Sequence, residues 1–224
     1  MLTSEEKYNR AKKILGRLQE EYGRIAGPWE MWKIGRPMRE IGHPARKDMQ
    51  DTELLKGYAE IQHSLGLSVT QGIARMLDNP TGEDRLCLEA LKGCLGPPEV
   101  RKLFKSDASG WFGNSERAEN DQVDVAQKIC DIITKITDIR KMKCAERLKN
   151  TRDQYLSHNL KSTSEQVSYQ EVESLWKKIK EIIKLSSCAL TGADWDIQQM
   201  DDFFRLRAKK FWGIFEKGLK SHSK

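Results

Sequence analysis

The stretch that decides the fold class is Ser168-Tyr169-Gln170-Glu171-Val172-Glu173-Ser174-Leu175-Trp176-Lys177-Lys178-Ile179-Lys180-Glu181-Ile182-Ile183-Lys184-Leu185-Ser186. Ser168 with Glu171 three residues on is the reciprocal capping pattern that opens a helix, each side chain satisfying a backbone N–H that the first turn leaves without a partner. Val172, Leu175, Trp176, Ile179, Ile182, Ile183 and Ser186 then recur at three- and four-residue steps. That period gives one apolar face turned toward a core. Thr191-Gly192 ends the helix, glycine tolerating the left-handed turn that follows a last helical residue.

The same period runs through the rest of the chain, and the alternation of a strand is almost absent. Residues 4–26 carry Tyr8, Ala11, Leu15, Leu18, Tyr22 and Ile25 as one seam, which Gly27-Pro28 is expected to stop. Residues 28–47 read as irregular, broken by Pro28, Gly35, Pro37, Gly42 and Pro44. They hold Trp29 and Trp32 among Lys33, Arg36, Arg39, Arg46 and Lys47, a combination suited either to stacking on bases or to pinning the connection against a core. A long helix over residues 50–78 follows, with Leu54, Tyr58, Ile61, Leu65, Val69, Ile73 and Met76 on one face and a stop at Asp78-Asn79-Pro80. Shorter helices are expected over 83–93 and 98–106, the second opened by Pro98. A loop around Trp111-Phe112, with Gly110 and Gly113, leads into a long element over 118–158. The last helix, 195–220, is expected to bury Met200, Phe203, Phe204, Phe211, Phe215 and Leu219 and to turn Arg205, Arg207, Lys209, Lys210, Lys217 and Lys220 outward. The fold class is all-α: a bundle of long up-and-down helices with shorter connecting helices, one domain over 1–224 in which 1–48 form an N-terminal helical extension and basic loop.

Composition narrows the function classes. The chain has 224 residues and a formal charge of +6 on a background of 32% charged residues, with a pI of about 9.0. That balance suits a nucleic-acid partner, and a solvated Lys- and Glu-rich helical surface gives a similar one. No apolar run approaches the ~18 residues of a membrane span. The segment Met1-Leu2-Thr3-Ser4-Glu5-Glu6-Lys7 has no apolar core of a secretory signal. Cys87, Cys94, Cys130, Cys144 and Cys188 form no Cys-x-x-Cys pair and read as reduced thiols of a cytoplasmic protein. Their spacings do not fit a zinc site. Phosphate-binding glycine loops and His-Glu-x-x-His are missing, so no cofactor and no metal is expected.

The chemistry concentrates in Arg152-Asp153-Gln154-Tyr155-Leu156-Ser157-His158. A guanidinium offers a planar fork of donors for phosphate oxygens, and a histidine titrating near pH ~6.5 serves as acid or base at neutral pH. Within 118–158 the early stripe is Ile129, Ile132, Ile133 and Ile136, and the later one is Leu148 and Tyr155 with Arg152 between them. The two stripes lie roughly a quarter-turn apart, so the helix bends or changes packing partner. Arg152 accordingly leans toward a packed surface, where an arginine needs a partner. His158 falls where the helix ends, before Asn159 and the Lys161-Ser162-Thr163-Ser164 linker. Six residues place it roughly 120° around the axis from Arg152. One helix therefore presents both on one face only if it unwinds before His158, whereas in a two-fold dimer two copies of each can line one cleft.

At these residues the chain resembles the HEPN superfamily, and most closely its AbiU-type abortive-infection branch. The family motif runs from Arg through a polar residue to His, and Arg152, Asp153 and His158 stand in those positions. Glu146-Arg147-Leu148-Lys149-Asn150-Thr151-Arg152-Asp153 through His158 is similar to the family's "Arg-Asn-Lys-x-x-Ala-His" helix end, with Asp153 for the commoner Asn and Ser157 for Ala. Leu67 to Asp78, ending Ala74-Arg75-Met76-Leu77-Asp78, resembles the family's "Ala-Arg-Leu-Phe-Asp" helix end. The resemblance covers about residues 50–190. It implies a homodimeric helical bundle acting as a metal-independent endoribonuclease, in a toxin–antitoxin pair or in antiviral (phage) defence. Arg152 would hold the scissile phosphate, Asp153 would orient groups around it, and His158 would be the acid/base. Ser157, Asn159 and Lys149 beside the motif, with Arg205 and Lys209 of the last helix, are candidate RNA contacts, and an antitoxin protein is a candidate partner. Two other readings stand beside this one: a non-catalytic helical module binding RNA, nucleotide or a protein partner, and a structural bundle in which Arg152 is a buried ion-pair partner of neighbours of Asp153 or of an acidic residue on another helix.

Overall fold

The computed structural model describes residues 2–39, 43, 52–79, 86–111, 115–156 and 167–222, without the side chains of 39, 52, 115–123, 153–156 and 222. Among them every regular element is helical: α1 Ser4–Gly35, a 3₁₀ turn Arg36–Arg39, α2 Thr52–Met76, α3 Leu88–Leu95, α4 Pro98–Ala108, α5 Ser115–Lys141, α6 Lys143–Leu156, α7 Tyr169–Thr191 and α8 Ile197–His222. The chain divides into two compact units. The first comprises Met1–Tyr22 and Ile73–Trp195, and the second Gly23–Gly72 and Asp196–Lys224.

In the first unit the helical period delivers its apolar faces to one core. Ile14, Leu15, Leu18 and Tyr22 of α1 are buried, as are Ile129, Ile132 and Ile136 of α5. The whole expected face of α7 is buried, Ser186 included. α5 packs on α3, α4 and α7, and α6 on α5 and α7. Tyr22 stacks on Trp176 with ring centroids 5.3 Å apart and meets Trp195 edge-on at 4.9 Å. The reciprocal Ser168–Glu171 cap is formed, and Gly192 closes α7 at φ 70° with Trp111 packed against its Cα. A side chain at Gly192 would meet both the ring and an unfavourable backbone region. Pro98 opens α4 at its first turn. Residues 112–114 of the expected Trp111-Phe112 loop lie outside the described residues.

The second unit corrects two expectations. Gly27-Pro28 does not stop α1, which runs through Pro28 to Gly35. Proline removes one backbone donor and crowds the preceding turn, but the packing beyond it outweighs that loss. Trp29 is buried, and Trp32 lies against Gly66, where an added Cβ would meet the indole at 3.1 Å. The two tryptophans also meet edge-on at 5.9 Å, so they pin the connection. Residues 40–42 and 44–47 of the expected basic loop lie outside the described residues.

The second correction concerns α8. Its buried line is Ile197, Ala208, Trp212 and Leu219, with Phe204 and Phe215 half-buried, whereas Phe203 and Phe211 are 49% and 42% exposed. Phe203 is nine residues from Trp212 and therefore roughly opposite it around the helix. Trp212 takes the core place instead, packed with Met38, Tyr58 and Leu219 and donating from Nε1 to the Met31 carbonyl at 2.8 Å. Arg207 covers the exposed Phe203 ring at 4.1 Å. Tyr58 ties α2 to the end of α1 by donating to the Gly35 carbonyl at 2.6 Å.

Gly35 itself sits where a Cβ would overlap Gln62 and the Trp212 ring. Gly35→Ala is expected to lower the unfolding free energy by about 1–3 kcal/mol, the usual effect of overfilling a packed core. Thermal or denaturant unfolding of the full chain checks this, and an unchanged midpoint would contradict the packing described.

Candidate active site

The element expected over 118–158 is two helices. It breaks at Met142, where the Met142 amide bonds the Ile139 carbonyl at 3.1 Å and the Ala145 amide bonds Met142 at 3.0 Å. The break resets the face, as the mismatch of the two apolar stripes required. Cys144, Ala145 and Leu148 of α6 are buried, and Arg152 follows Leu148 one turn on, so its side chain is carried inward and is only 14% exposed.

Its partner there is Asp78. Arg152 Nη1 donates to Asp78 Oδ1 at 2.5 Å, and the carboxylate is 16% exposed. Asp78 lies just past the last turn of α2, where the Leu77 amide still bonds Ile73 and Ala74 and the Asp78 amide bonds Arg75 at 3.3 Å. Arg140 of α5 fixes that end: its Nη1 donates to the Leu77 carbonyl at 2.6 Å, its Nη2 bonds the Asn79 side chain, and its Nε faces Glu89 at 3.8 Å. A cation on the last carbonyls of a helix is favourable, because they carry partial negative charge and have no intrahelical donor. The helix end that presents Asp78 is thus held from α5, and Asp78 in turn holds Arg152.

Three further contacts complete the neighbourhood. Arg75, one turn before Asp78, donates from Nε to Glu21 Oε1 of α1 at 2.9 Å, and that carboxylate is 7% exposed. Arg147, a little over a turn before Arg152, pairs with Glu171 and so ties α6 to the capped start of α7. Hydrogen bonds from Ser168 come first, and Arg147 second, in holding the Glu171 carboxyl below its ordinary range. Beside the Arg152–Asp78 pair opens a cavity of about 230 Å³, walled by Leu18, Met76, Cys87, Glu21, Arg75 and Asp78, with Arg17 also on its lining. Burial, with Asp78 adding to it, pushes the Cys87 thiol up, so that wall stays neutral.

Of the residues singled out from the sequence, Arg152 is in this neighbourhood, and Lys149 stands half-buried three residues before it on α6. The side chain of Asp153, and Ser157, His158 and Asn159 entirely, lie outside the described residues. Arg205 and Lys209 belong to the second unit. There Arg205 faces the buried Glu30 at 3.5 Å and bonds Asp202 at 2.7 Å, while Lys209 is exposed. Sequence reading passed over Asp78, Arg140 and the Glu21–Arg75 pair. The available signal was the inward lean of Arg152, which demanded an acid, and Asp78 at a helix stop was a candidate to supply it. Among the described residues no group of His, Cys, Asp and Glu is placed to hold a metal ion, and no helix is long and apolar enough to cross a membrane.

Comparison with known proteins gives one result. The model of the HEPN_AbiU2 family, described as AbiU2, matches residues 8–211. Comparison with the curated proteins and with the solved structures gave no match.

Proposed function

This chain belongs to the AbiU2 family of HEPN domains, and from that premise we propose that it is a metal-independent endoribonuclease of the abortive-infection or toxin type. The observation that carries the proposal is the placement of Arg152: nearly buried, held by Asp78, and on α6 four residues before the last helical residue, Leu156. A guanidinium carries five N–H donors in one plane, so a carboxylate bond at Nη1 fixes that plane for a phosphate presented to the same group.

In the proposed reaction Arg152 binds the scissile phosphate and stabilises the negative charge that builds on its oxygens. His158 takes the proton of the ribose 2′-OH as the 2′-oxygen attacks phosphorus. The P–O5′ bond breaks, and a protonated imidazole returns a proton to the leaving 5′-oxygen. The products are a 2′,3′-cyclic phosphate and a 5′-hydroxyl, and no water or redox partner is consumed. Base and acid act on opposite sides of the phosphorus, which one imidazole serves poorly in a single step. Two copies of His158 in one cleft of a homodimer divide the roles, and Arg152 of each copy flanks them. Asp153 is proposed to orient groups around Arg152, and Ser157, Asn159 and Lys149 beside the motif to contact the RNA near the cut. An antitoxin protein is a candidate partner for a chain of this type.

The test is cleavage of RNA by the full-length protein in excess EDTA, with the new ends analysed. Cyclic phosphate and 5′-hydroxyl ends are expected at undiminished rate. Cutting that requires added metal, or that leaves 5′-phosphate ends, would overturn the proposal. The contrary reading, in which Arg152 is a structural ion-pair partner, also draws on the Asp78 pair, and it predicts no cleavage.

A further inference from the structure

Two seams run along α8. One is the buried line of Ile197, Ala208, Trp212 and Leu219. The other follows the outer side through Phe203, Leu206, Lys210, Ile214 and Lys217, at three- and four-residue steps and over roughly 21 Å. That is the spacing by which one helix packs against another. Leu206 and Ile214 are 56% and 72% exposed. Of the seven large apolar side chains that stand exposed among the described residues, four are on this helix: Phe203, Leu206, Ile214, and Phe211 at the seam's edge. Single exposed apolar residues need no explanation, but a line of them on one helix face marks a surface that something covers.

Charge narrows what covers it. Arg207, Lys209, Lys210, Lys217 and Lys220 are exposed on the same outer half, and the acid on that side, Asp202, already bonds Arg205 at 2.7 Å. Lys210 and Lys217 stand in the seam itself. A second copy of the chain is a poor fit, because a two-fold axis through the middle of the seam sets Lys210 against its own copy. A lipid surface is a poor fit too, since sinking Leu206 and Ile214 among acyl chains carries Lys210 and Lys217 with them, away from the polar face where an interfacial helix keeps its cations. RNA would meet the cations, but Leu206 and Ile214 offer no ring on which a base can stack, and Arg207 already covers the Phe203 ring at 4.1 Å. A helix that sets apolar side chains against Phe203, Leu206 and Ile214, and carboxylates against the lysines between them, satisfies both halves of the pattern.

We propose that the outer face of α8 docks an acidic amphipathic helix of a partner protein. The inference goes beyond the ribonuclease reading and depends on neither cleavage nor the Arg152 site.

Fluorescence anisotropy of the full-length protein with two labelled synthetic peptides tests it. Both are helical, of four to five turns, with Leu at three- and four-residue steps; one carries Glu beside the leucines and the other Lys at the same places. The Glu peptide is expected to bind at least about tenfold more tightly than the Lys peptide and to weaken as salt is raised. The double variant Leu206→Ser, Ile214→Ser is expected to lose that binding with an unchanged unfolding midpoint, because both side chains are exposed. No binding of the Glu peptide, equal binding of the two peptides, or binding that survives in the double variant would overturn the inference. Vesicles of phosphatidylserine and a single-stranded RNA are run on the same two proteins. If either of them, in place of the Glu peptide, loses its binding in the double variant, the face belongs to lipid or RNA and the inference is overturned. Sedimentation of the protein alone completes the set: a dimer that dissociates in the double variant would make a second copy the occupant, and an unaltered association state is expected. RNA cleavage by the double variant is expected to stay at the wild-type rate, so failure of the docking face and failure of the ribonuclease reading are read separately.

Discussion

Arg152→Ala is expected to lower the unfolding free energy by about 3 kcal/mol and to abolish cleavage. The stability loss follows from the pair it breaks: both side chains are about one-seventh exposed, and removing one member of a buried ion pair strands the other, at about 3–5 kcal/mol. The lower end applies because both groups keep some contact with water. Asp78→Ala should cost a similar amount for the same reason, with the guanidinium now stranded. The double variant should cost little more than either single one, since the pair is broken only once, and the coupling between the sites should reach about 2 kcal/mol or more. Denaturant unfolding of the four proteins gives this cycle, and additive losses would mean that the pair is not a unit. Catalysis separates the two residues. Asp78→Asn keeps an acceptor for Arg152 and is expected to retain part of the activity, whereas Arg152→Lys keeps the charge but loses the planar fork and is expected to retain little.

His158→Ala should show the opposite balance. Removing a general acid or base costs roughly 10²–10⁴-fold in rate, and the proposed reaction gives His158 a part in the chemistry alone. Cleavage is therefore expected to fall by at least about a hundredfold with the unfolding midpoint unchanged. Activity within a few-fold of wild type would remove His158 from the chemistry and leave Arg152 as a binding or structural group. The pair of results matters more than either alone: one residue on which stability and cleavage both depend, and one on which only cleavage depends.

The helical class was legible because apolar spacing reports which face is buried regardless of what it is buried against. The face of α7, from Val172 to Ser186, was read correctly residue by residue, as were its capping box and its Gly192 stop. The errors fell where tertiary packing outweighs a local rule. Pro28 breaks isolated helices, yet Trp29, Trp32 and Gly35 find packing that carries α1 past it. On α8 aromatic residues occupy several faces, and spacing alone favoured Phe203 and Phe211 over the Trp212 line that is buried. The candidate site was legible to the same depth. The lean of Arg152 came from its position one turn past Leu148, and the changed stripe foretold a bend or a change of packing partner, though not that the element is two helices parted at Met142. Its partner did not follow, because Asp78 is 74 residues away and only the fold brings α2 and α6 together. Arg140 was hidden for the same reason, its role being to hold a backbone carbonyl that no side-chain pattern reveals.

The central claim is that Arg152 and His158 are half of an active site completed by a second copy of the chain. It is tested most directly in mixed dimers isolated through two different tags, one protomer wild type and the other His158→Ala, assayed on RNA in excess EDTA. A shared cleft needs both imidazoles, so the mixed dimer is expected to fall far below half of wild-type activity, to the order of one per cent or less. Activity of about half, the sum of one intact and one dead site acting independently, would contradict it, as would a chain that cleaves RNA while forming no dimer to isolate.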